Sequence, residues 1–130
     1  MAETLLTTAG NFTATINAAN SYTLPPGWTG PTSPVSRWLI EITNTATFNG
    51  TLIVKARLAG QVRALKPVPY IGLYVNGAVG TGSATTSNLS TAAMVGDSLI
   101  EVDATEMEIV VDCTAYTSGS CVMTARLVQG

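Results

Sequence analysis

Apolar and polar side chains alternate with a period of two along much of this 130-residue chain. The clearest run is residues 37–44, RWLIEITN, where Trp38, Ile40 and Ile42 share one face and polar residues dominate the other. This period is that of a β-strand with one face in a hydrophobic core. The pattern therefore predicts strands through most of the chain, and no segment shows the period and capping residues of a helix.

The same alternation predicts a series of further short strands along the chain, at 11–18, 51–58, 70–75, 98–102, 107–113 and 121–128. About seven to eight short strands separated by turn residues are typical of an antiparallel β-sandwich. We expect an all-β, jelly-roll-like sandwich that forms a single domain over residues 1–130. The inward-facing positions predict that the core includes Leu52, Val54, Ile109, Val111 and Met123.

Three segments interrupt the alternation. Residues 1–10 have no clear period and are predicted to be an N-terminal arm. Residues 24–36 contain four prolines and two glycines, which excludes a helix or a central strand and predicts a long ordered loop with Trp28 packed down. Residues 77–93 are small and polar, and predict a loop that is either flexible or ordered by a neighbour.

Asn-Gly pairs and other turn residues predict how these strands connect. Asn49-Gly50 predicts a hairpin between 37–44 and 51–58, and Asn76-Gly77 closes the strand at 70–75. Residues 103–105 and 116–119 predict two more turns, each between consecutive strands.

The composition limits the kinds of partner. The chain is 46% apolar but only 11% charged, so its polar surface must come from Thr, Ser and Asn. A net charge of −2 without a large basic patch argues against nucleic acid. Because no apolar run reaches the length of a membrane span, no membrane is expected. The segment Met1–Thr4 lacks the features of a signal peptide, which predicts synthesis in the cytoplasm without export.

Candidate catalytic chemistry is sparse. The chain has no histidine, which removes the commonest general base and most zinc sites. Glu106 and Glu108 share a strand face, so an acid–base pair or a calcium site is one interpretation. Their spacing matches no calcium loop, and a solvated strand face is the favoured alternative. We therefore expect no enzyme and no cofactor.

Cys113 and Cys121 flank the predicted turn at residues 116–119. A two-residue turn at Ser118-Gly119 would place Cys113 opposite Thr124 rather than opposite Cys121. Two small buried thiols are therefore the favoured interpretation, and a disulfide is the alternative.

Aromatic residues allow a second kind of site. A sugar-binding platform could be built from Trp28, Trp38, Tyr70, Tyr74 and Tyr116, although such residues more often lie in cores or interfaces. Trp28 and Tyr74 are the candidate aromatic contacts.

Charges are segregated along the chain. Four of the six basic residues lie within 55–66, and six of the eight acidic residues lie within 97–112. These segments could meet between copies of the chain in a ring, or pair inside one subunit. Apolar residues also occur opposite the predicted core faces, which favours a homotrimer or another small ring. The candidate subunit interface comprises Val110, Val122, Val128, Lys55, Arg57, Glu106 and Glu108.

From Arg37 onward the chain resembles small β-sandwich virion proteins of tailed phages, especially capsid-decoration (cement) proteins and related tail modules. The resemblance is carried by RWLIEITNTATFNGTLIVKARLAG, VPYIGLYVNG and above all TAYTSGSCVMTARL. It implies a non-enzymatic protein that forms trimers on the virion surface and locks neighbouring shell subunits. The implied partners are further copies and the major capsid protein or another virion protein. The alternative is a receptor- or carbohydrate-binding module of a phage tail or fibre.

Overall fold

The structure is a computed structural model that describes residues 11–24, 36–58, 63–103 and 107–129. The described residues form eleven strands and no helix. The strands are β1 (Asn11–Ile16), β2 (Ser21–Thr23), β3 (Ser36–Asn44), β4 (Asn49–Leu58), β5 (Lys66–Pro67), β6 (Tyr70–Val75), β7 (Ala78–Val79), β8 (Ala84–Thr85), β9 (Ser98–Asp103), β10 (Met107–Ser118) and β11 (Cys121–Gln129). The all-β prediction is confirmed, and the strands that exceed the expected number are short ones without a readable alternation.

The strands form two antiparallel sheets. The seven-stranded sheet has the order β1-β11-β3-β9-β6-β7, with β8 also paired to β6, and the four-stranded sheet has the order β2-β10-β4-β5. From β1 to β4, and again from β9 to β11, each strand lies in the sheet opposite its predecessor. This interleaving of β1-β11-β3-β9 with β2-β10-β4-β5 is the arrangement of a jelly roll.

The core lies between the inner faces of the two sheets. Its largest fully buried side chains include Trp38, Phe48 and Ile40. The five predicted core residues, Leu52, Val54, Ile109, Val111 and Met123, are all buried, so the prediction of which face of each strand is turned inward is confirmed. Leu58 shares the alternation of Leu52 and Val54, but it is the last residue of β4 and its side chain is 53% exposed.

The predicted hairpin between β3 and β4 is wrong. β3 pairs with β11 and β9, whereas β4 pairs with β10 and β5 in the other sheet. Asn49 and Gly50 lie inside β4, and the residues before them make the crossing, with Thr47 at a φ of 42°. A Cβ on Gly50 would lie 2.6 Å from the Ala115 carbonyl oxygen, so this glycine permits close packing of neighbouring strands rather than a turn.

The two later connections also cross between sheets. β9 lies in the seven-stranded sheet, β10 in the four-stranded sheet and β11 in the seven-stranded sheet again. Cys113 therefore pairs with Leu52, and Thr124 with Glu41 and Thr13, so the expected pairing of Cys113 with Thr124 is wrong. Alternation identifies the buried face of a strand, but it does not identify the strand that lies beside it.

Asn76-Gly77 does form the predicted turn. It joins β6 to β7 as a two-residue hairpin, and both residues have positive φ, 49° and 84°. This is the backbone of a type I′ turn, which Asn-Gly favours.

The segment 77–93 is ordered against the chain's own sheets. It contains β7 and β8, which both pair with β6. Further on, the Leu52 N–H donates to the Ser90 carbonyl oxygen and the Leu89 N–H donates to the Leu52 carbonyl oxygen. Leu89 and Ser90 are both buried. The end of this segment therefore covers the edge of β4 beyond the short strand β5.

Two predicted segments lie largely or wholly outside the described residues. These are the N-terminal arm at 1–10 and most of the proline-rich loop at 24–36, including Trp28. Leu24, at the start of that loop, is buried in the core.

Replacing Ile109 with alanine should lower the free energy of unfolding by about 2–5 kcal/mol, because a large side chain is removed from a close-packed core. Thr114→Ala on the same strand is the matched control. Because Thr114 is exposed, this substitution should lower the free energy of unfolding by less than about 1 kcal/mol. Urea unfolding of both variants measures the difference. Equal stabilities would contradict the burial of Ile109.

Gly119 and Gly82 provide a second matched pair, since both have a φ of 79°. A Cβ on Gly82 meets nothing within 4 Å, whereas a Cβ on Gly119 would lie 2.3 Å from the carbonyl oxygens of Ala46 and Thr47. Gly82→Ala should therefore cost only the left-handed backbone strain, about 1–2 kcal/mol. Gly119→Ala should lower the free energy of unfolding, measured by heat or urea, clearly more than Gly82→Ala does. An equal loss would show that the crossing before β11 is not packed in this way.

Candidate interaction surface

The outer face of the seven-stranded sheet presents two long rows of side chains across its strands. The first row runs from Thr13 through Thr124, Glu41, Leu99 and Tyr74 to Val79. The second row runs from Arg126 through Leu39, Glu101 and Ile71 to Ala84. Residues that are opposite each other across a sheet lie close enough to interact, so each row is a continuous strip of surface.

An irregularity in β6 adds to this surface. Ile71 pairs with Glu101 and Tyr74 with Leu99, so β6 has one more residue than β9 over this stretch. The extra residue bends the strand and turns side chains that a regular strand would direct elsewhere. Leu73 continues the alternation begun by Tyr70 and Ile71 and is 50% exposed. The irregularity places Tyr74, which a regular strand would direct inward, on the outer face opposite Leu99.

Apolar residues gather on this side of the sheet. Ile71, Leu73 and Val79 are three of the five large exposed hydrophobic residues in the described part of the chain, and Val79 is 90% exposed. They lie beside the half-buried residues Leu39, Leu99 and Tyr74. We name these six residues the apolar outer patch. A contiguous apolar patch with a polar border is typical of a surface that binds another protein.

Charged and polar groups border the apolar outer patch. The Tyr74 hydroxyl donates a hydrogen bond to Glu41 Oε2 at 3.4 Å, and burial together with the Glu41 charge raises the pKa of Tyr74. Arg37 Nε lies 3.5 Å from Glu101 Oε1, with both side chains partly exposed. A depression of about 350 Å³ is lined by Thr13, Leu39, Glu41, Leu99, Thr124 and Arg126.

The outer face of the four-stranded sheet has two ion pairs. Lys55 Nζ lies 2.7 Å from Asp112 Oδ2, and Arg57 Nε donates a hydrogen bond to Glu108. The Ser21 hydroxyl also donates to Asp112, at 3.1 Å. These basic and acidic residues, which are far apart in sequence, therefore pair inside one subunit. Glu106 lies outside the described residues.

Val110 is buried between these ion pairs. It lies between Glu108 and Asp112 along β10 and opposite Lys55 on β4, and its side chain is only 1% exposed in the single chain. The stems of long charged side chains commonly cover apolar surface in this way. Val110 was expected to contact another subunit, but this burial removes it from the exposed surface.

The other two valines of the predicted interface lie on the seven-stranded sheet. Val122 is half-buried between Thr15 and Thr43, and Val128 is half-buried opposite Arg37. The structure thus divides the predicted interface residues between two sheet faces that point in opposite directions. The homotrimer stays a prediction, and the charge segregation no longer supports it.

The aromatic residues do not form an exposed platform among the described residues. Trp38 and Tyr70 are buried, and the Tyr70 hydroxyl donates to the Ser87 carbonyl oxygen. Tyr116 packs against Phe48 with the ring centroids 6.0 Å apart. Only Tyr74 of this described set lies on the apolar outer patch, and Trp28 lies outside the described residues.

Cys113 and Cys121 are free thiols buried in the core, as the favoured interpretation expected. They come from opposite sheets, Cys113 on β10 and Cys121 on β11. Burial is the main cause that raises the pKa of both thiols, that of Cys121 to about 12. Both side chains are therefore held in the uncharged form at neutral pH.

Sequence reasoning missed most of the apolar outer patch. The run YIGLYV in β6 is apolar on both faces, and this signal was available in the sequence. In the part of the chain that the structure describes, no three His, Cys, Asp or Glu side chains cluster as potential metal ligands. The same residues include no helix with the length and hydrophobicity needed to span a bilayer.

Comparison of the chain with protein-family models, with curated proteins and with solved structures finds no match.

The raised pKa of Cys121 predicts how stability depends on alkaline pH. The unfolded chain releases this proton near the ordinary thiol pKa of 9.0, whereas the folded chain keeps it until about 12. The neutral thiol therefore favours folding below pH 9, and this contribution is lost as the pH rises through that window. The free energy of unfolding of the wild type, measured in urea with a reductant, should fall more steeply above pH 9 than that of Cys121→Ala. Parallel curves would contradict the prediction.

Proposed function

We propose that this chain is a non-enzymatic structural protein of the virion surface, of the capsid-decoration (cement) type, and that the apolar outer patch docks it onto the outer shell of a tailed phage. The observation that carries the proposal is the gathering of Ile71, Leu73 and Val79 on one exposed sheet face. Exposed apolar surface of this kind is unfavourable in water unless a partner covers it.

The chemistry of this face favours a protein partner. Most of its apolar side chains lie towards β6 and β7, Glu101 lies between Leu39 and Ile71, and Glu41, Arg37 and Arg126 lie nearby. An apolar centre with a polar border is the usual organisation of a protein–protein interface. The charged border would set the orientation of docking, while the apolar centre would supply most of the affinity.

The fold is compatible with this role, and the resemblance described above agrees with it. Jelly rolls occur in viral capsid proteins, and also in lectins and cupins. Because one fold supports many functions, it is the surface and not the fold that supports docking. In this proposal the partner is the major capsid protein or another virion protein, and the location is the virion surface.

A receptor- or carbohydrate-binding role has less support. Such a module needs several aromatic rings on one exposed face, as stacking partners for sugars. Trp38 and Tyr70 are instead buried in the core, and Tyr116 packs against Phe48. Tyr74 beside Glu41 is therefore a single aromatic group among aliphatic neighbours.

The proposal predicts that Leu73→Asp weakens binding to undecorated shells of the source phage by about tenfold or more, since a charge would be buried in the contact at a cost of at least about 1.4 kcal/mol. Leu73 is half-exposed, so the variant should remain folded. The control is Thr114→Asp, at an exposed position on the opposite sheet. Cosedimentation of purified protein with shells measures both affinities. Unchanged binding of Leu73→Asp, or no binding of the wild type, would refute the proposal.

A further inference from the structure

The edges of the two sheets are protected unequally. An edge strand has unpaired backbone N–H and C=O groups that attract another strand, and proteins usually blunt it with short length, lysine, proline or a bulge. Among the described strands, β2 has three residues and β7 and β8 have two residues each. The edge strand β5 consists of Lys66 and Pro67. Each of these four edge strands therefore carries a recognised protection.

The edge strand β1 lacks all of these protections. Its six residues, NFTATI, include no charge and no proline. Its register with β11 is unbroken from Asn11 to Ile16, so no bulge bends it away. Within the described residues, no strand pairs with its other side.

Several side chains of β1 are also left exposed or only partly buried by the rest of the chain. Thr13 and Thr15 are exposed on the outer face. Phe12 and Ala14 face the core and pack against it, yet both remain only partly buried. A further strand beside β1 would cover the inner-facing pair and extend the row of threonines on the outer face.

We propose that β1 pairs antiparallel with β1 of a second copy of this chain, so that two seven-stranded sheets join into one continuous sheet. A two-fold axis at Thr13 places Thr13 opposite Thr13 of the second copy. The same register places Phe12 opposite Ala14 of the second copy, a large side chain beside a small one. No charge meets a like charge anywhere along the contact, and Thr–Thr pairs are favourable across antiparallel strands.

The properties of the other edge strands favour a second copy of this chain as the partner of β1. Pairing of β1 with a different edge of another copy would meet a strand that is short or contains Lys66 and Pro67. Pairing of β1 with itself joins the two unprotected edges and leaves none exposed, so the assembly closes at two chains. Because β1 has no charge, it also offers nothing that an acidic or basic partner could recognise selectively.

This contact is independent of docking to a shell, since it forms between purified copies of the chain. It also differs from the three-fold ring expected from the sequence. Dimer and trimer have two and three times the 13.4 kDa mass of the chain, so sedimentation separates them. A single edge-strand contact is small, and the dimer should therefore appear in the micromolar to millimolar range.

The test compares the wild type with Thr13→Lys. Sedimentation equilibrium should give the wild type a mass approaching twice 13.4 kDa as its concentration rises. Thr13→Lys places two lysines opposite each other at the axis and should remain monomeric with an unchanged melting temperature, because Thr13 is exposed. Thr124→Lys, on the same face of the neighbouring strand β11, should still dimerise. A monomeric or trimeric wild type, or a dimeric Thr13→Lys variant, would overturn the proposal.

Crosslinking tests the position of the axis. Directly opposed residues of antiparallel strands have Cα atoms about 4.5–5.5 Å apart, within the range that a disulfide spans. Mild oxidation should convert Thr13→Cys into a covalent dimer, and it should leave the wild type and Thr124→Cys as single chains, since the native cysteines are buried. Failure of Thr13→Cys to crosslink would exclude a two-fold axis at Thr13.

Discussion

The burial of two sheet faces against each other is the interaction on which the rest of this structure depends. The core is a single layer between the sheets, and both sheets contribute to it through residues such as Trp38 and Val111. Because the long strands pass repeatedly from one sheet to the other, two consecutive long strands do not form an independent hairpin that could hold its own apolar face. The layers are stable only together, since a lone hairpin is at best marginally stable in water.

The outer faces of the two sheets differ in how far their apolar side chains are exposed to water. On the four-stranded sheet, the pairs Lys55–Asp112 and Arg57–Glu108 satisfy the charges and flank the buried Val110. On the seven-stranded sheet, Leu73 and Val79 remain exposed, although Glu41, Glu101, Arg37 and Arg126 lie on the same face. The difference explains why the candidate interaction surface lies on one side of the sandwich although both sheets have mixed outer faces.

The extent to which the sequence predicts this structure depends on how local each feature is. The burial of Ile109 and Met123 follows from a period of two, which needs only neighbouring residues. The pairing of β4 with β10 joins residues far apart in the chain, and Asn49-Gly50 was mistaken for a turn because nothing local distinguishes a hairpin from a crossing. The pairing of Lys55 with Asp112 was left open for the same reason, since it requires the register between these strands. Leu73 could be recognised as part of an apolar run, but the position of Tyr74 on the same outer face results from the irregularity in β6, which no local pattern predicts.

The pairing of β1 with β11 has a consequence for how the chain reaches its native state. The first described strand completes its sheet beside the last one, and β2 likewise depends on β10. During synthesis, β1 and β2 are therefore made well before the strands with which they pair. Such non-local pairing is associated with slow folding, because the entropy of closing long loops is lost before the contacts that compensate for it can form. The nascent chain thus exposes strands such as NFTATI until β11 has been synthesised, and the low charge of those strands leaves them open to association with other chains during that interval.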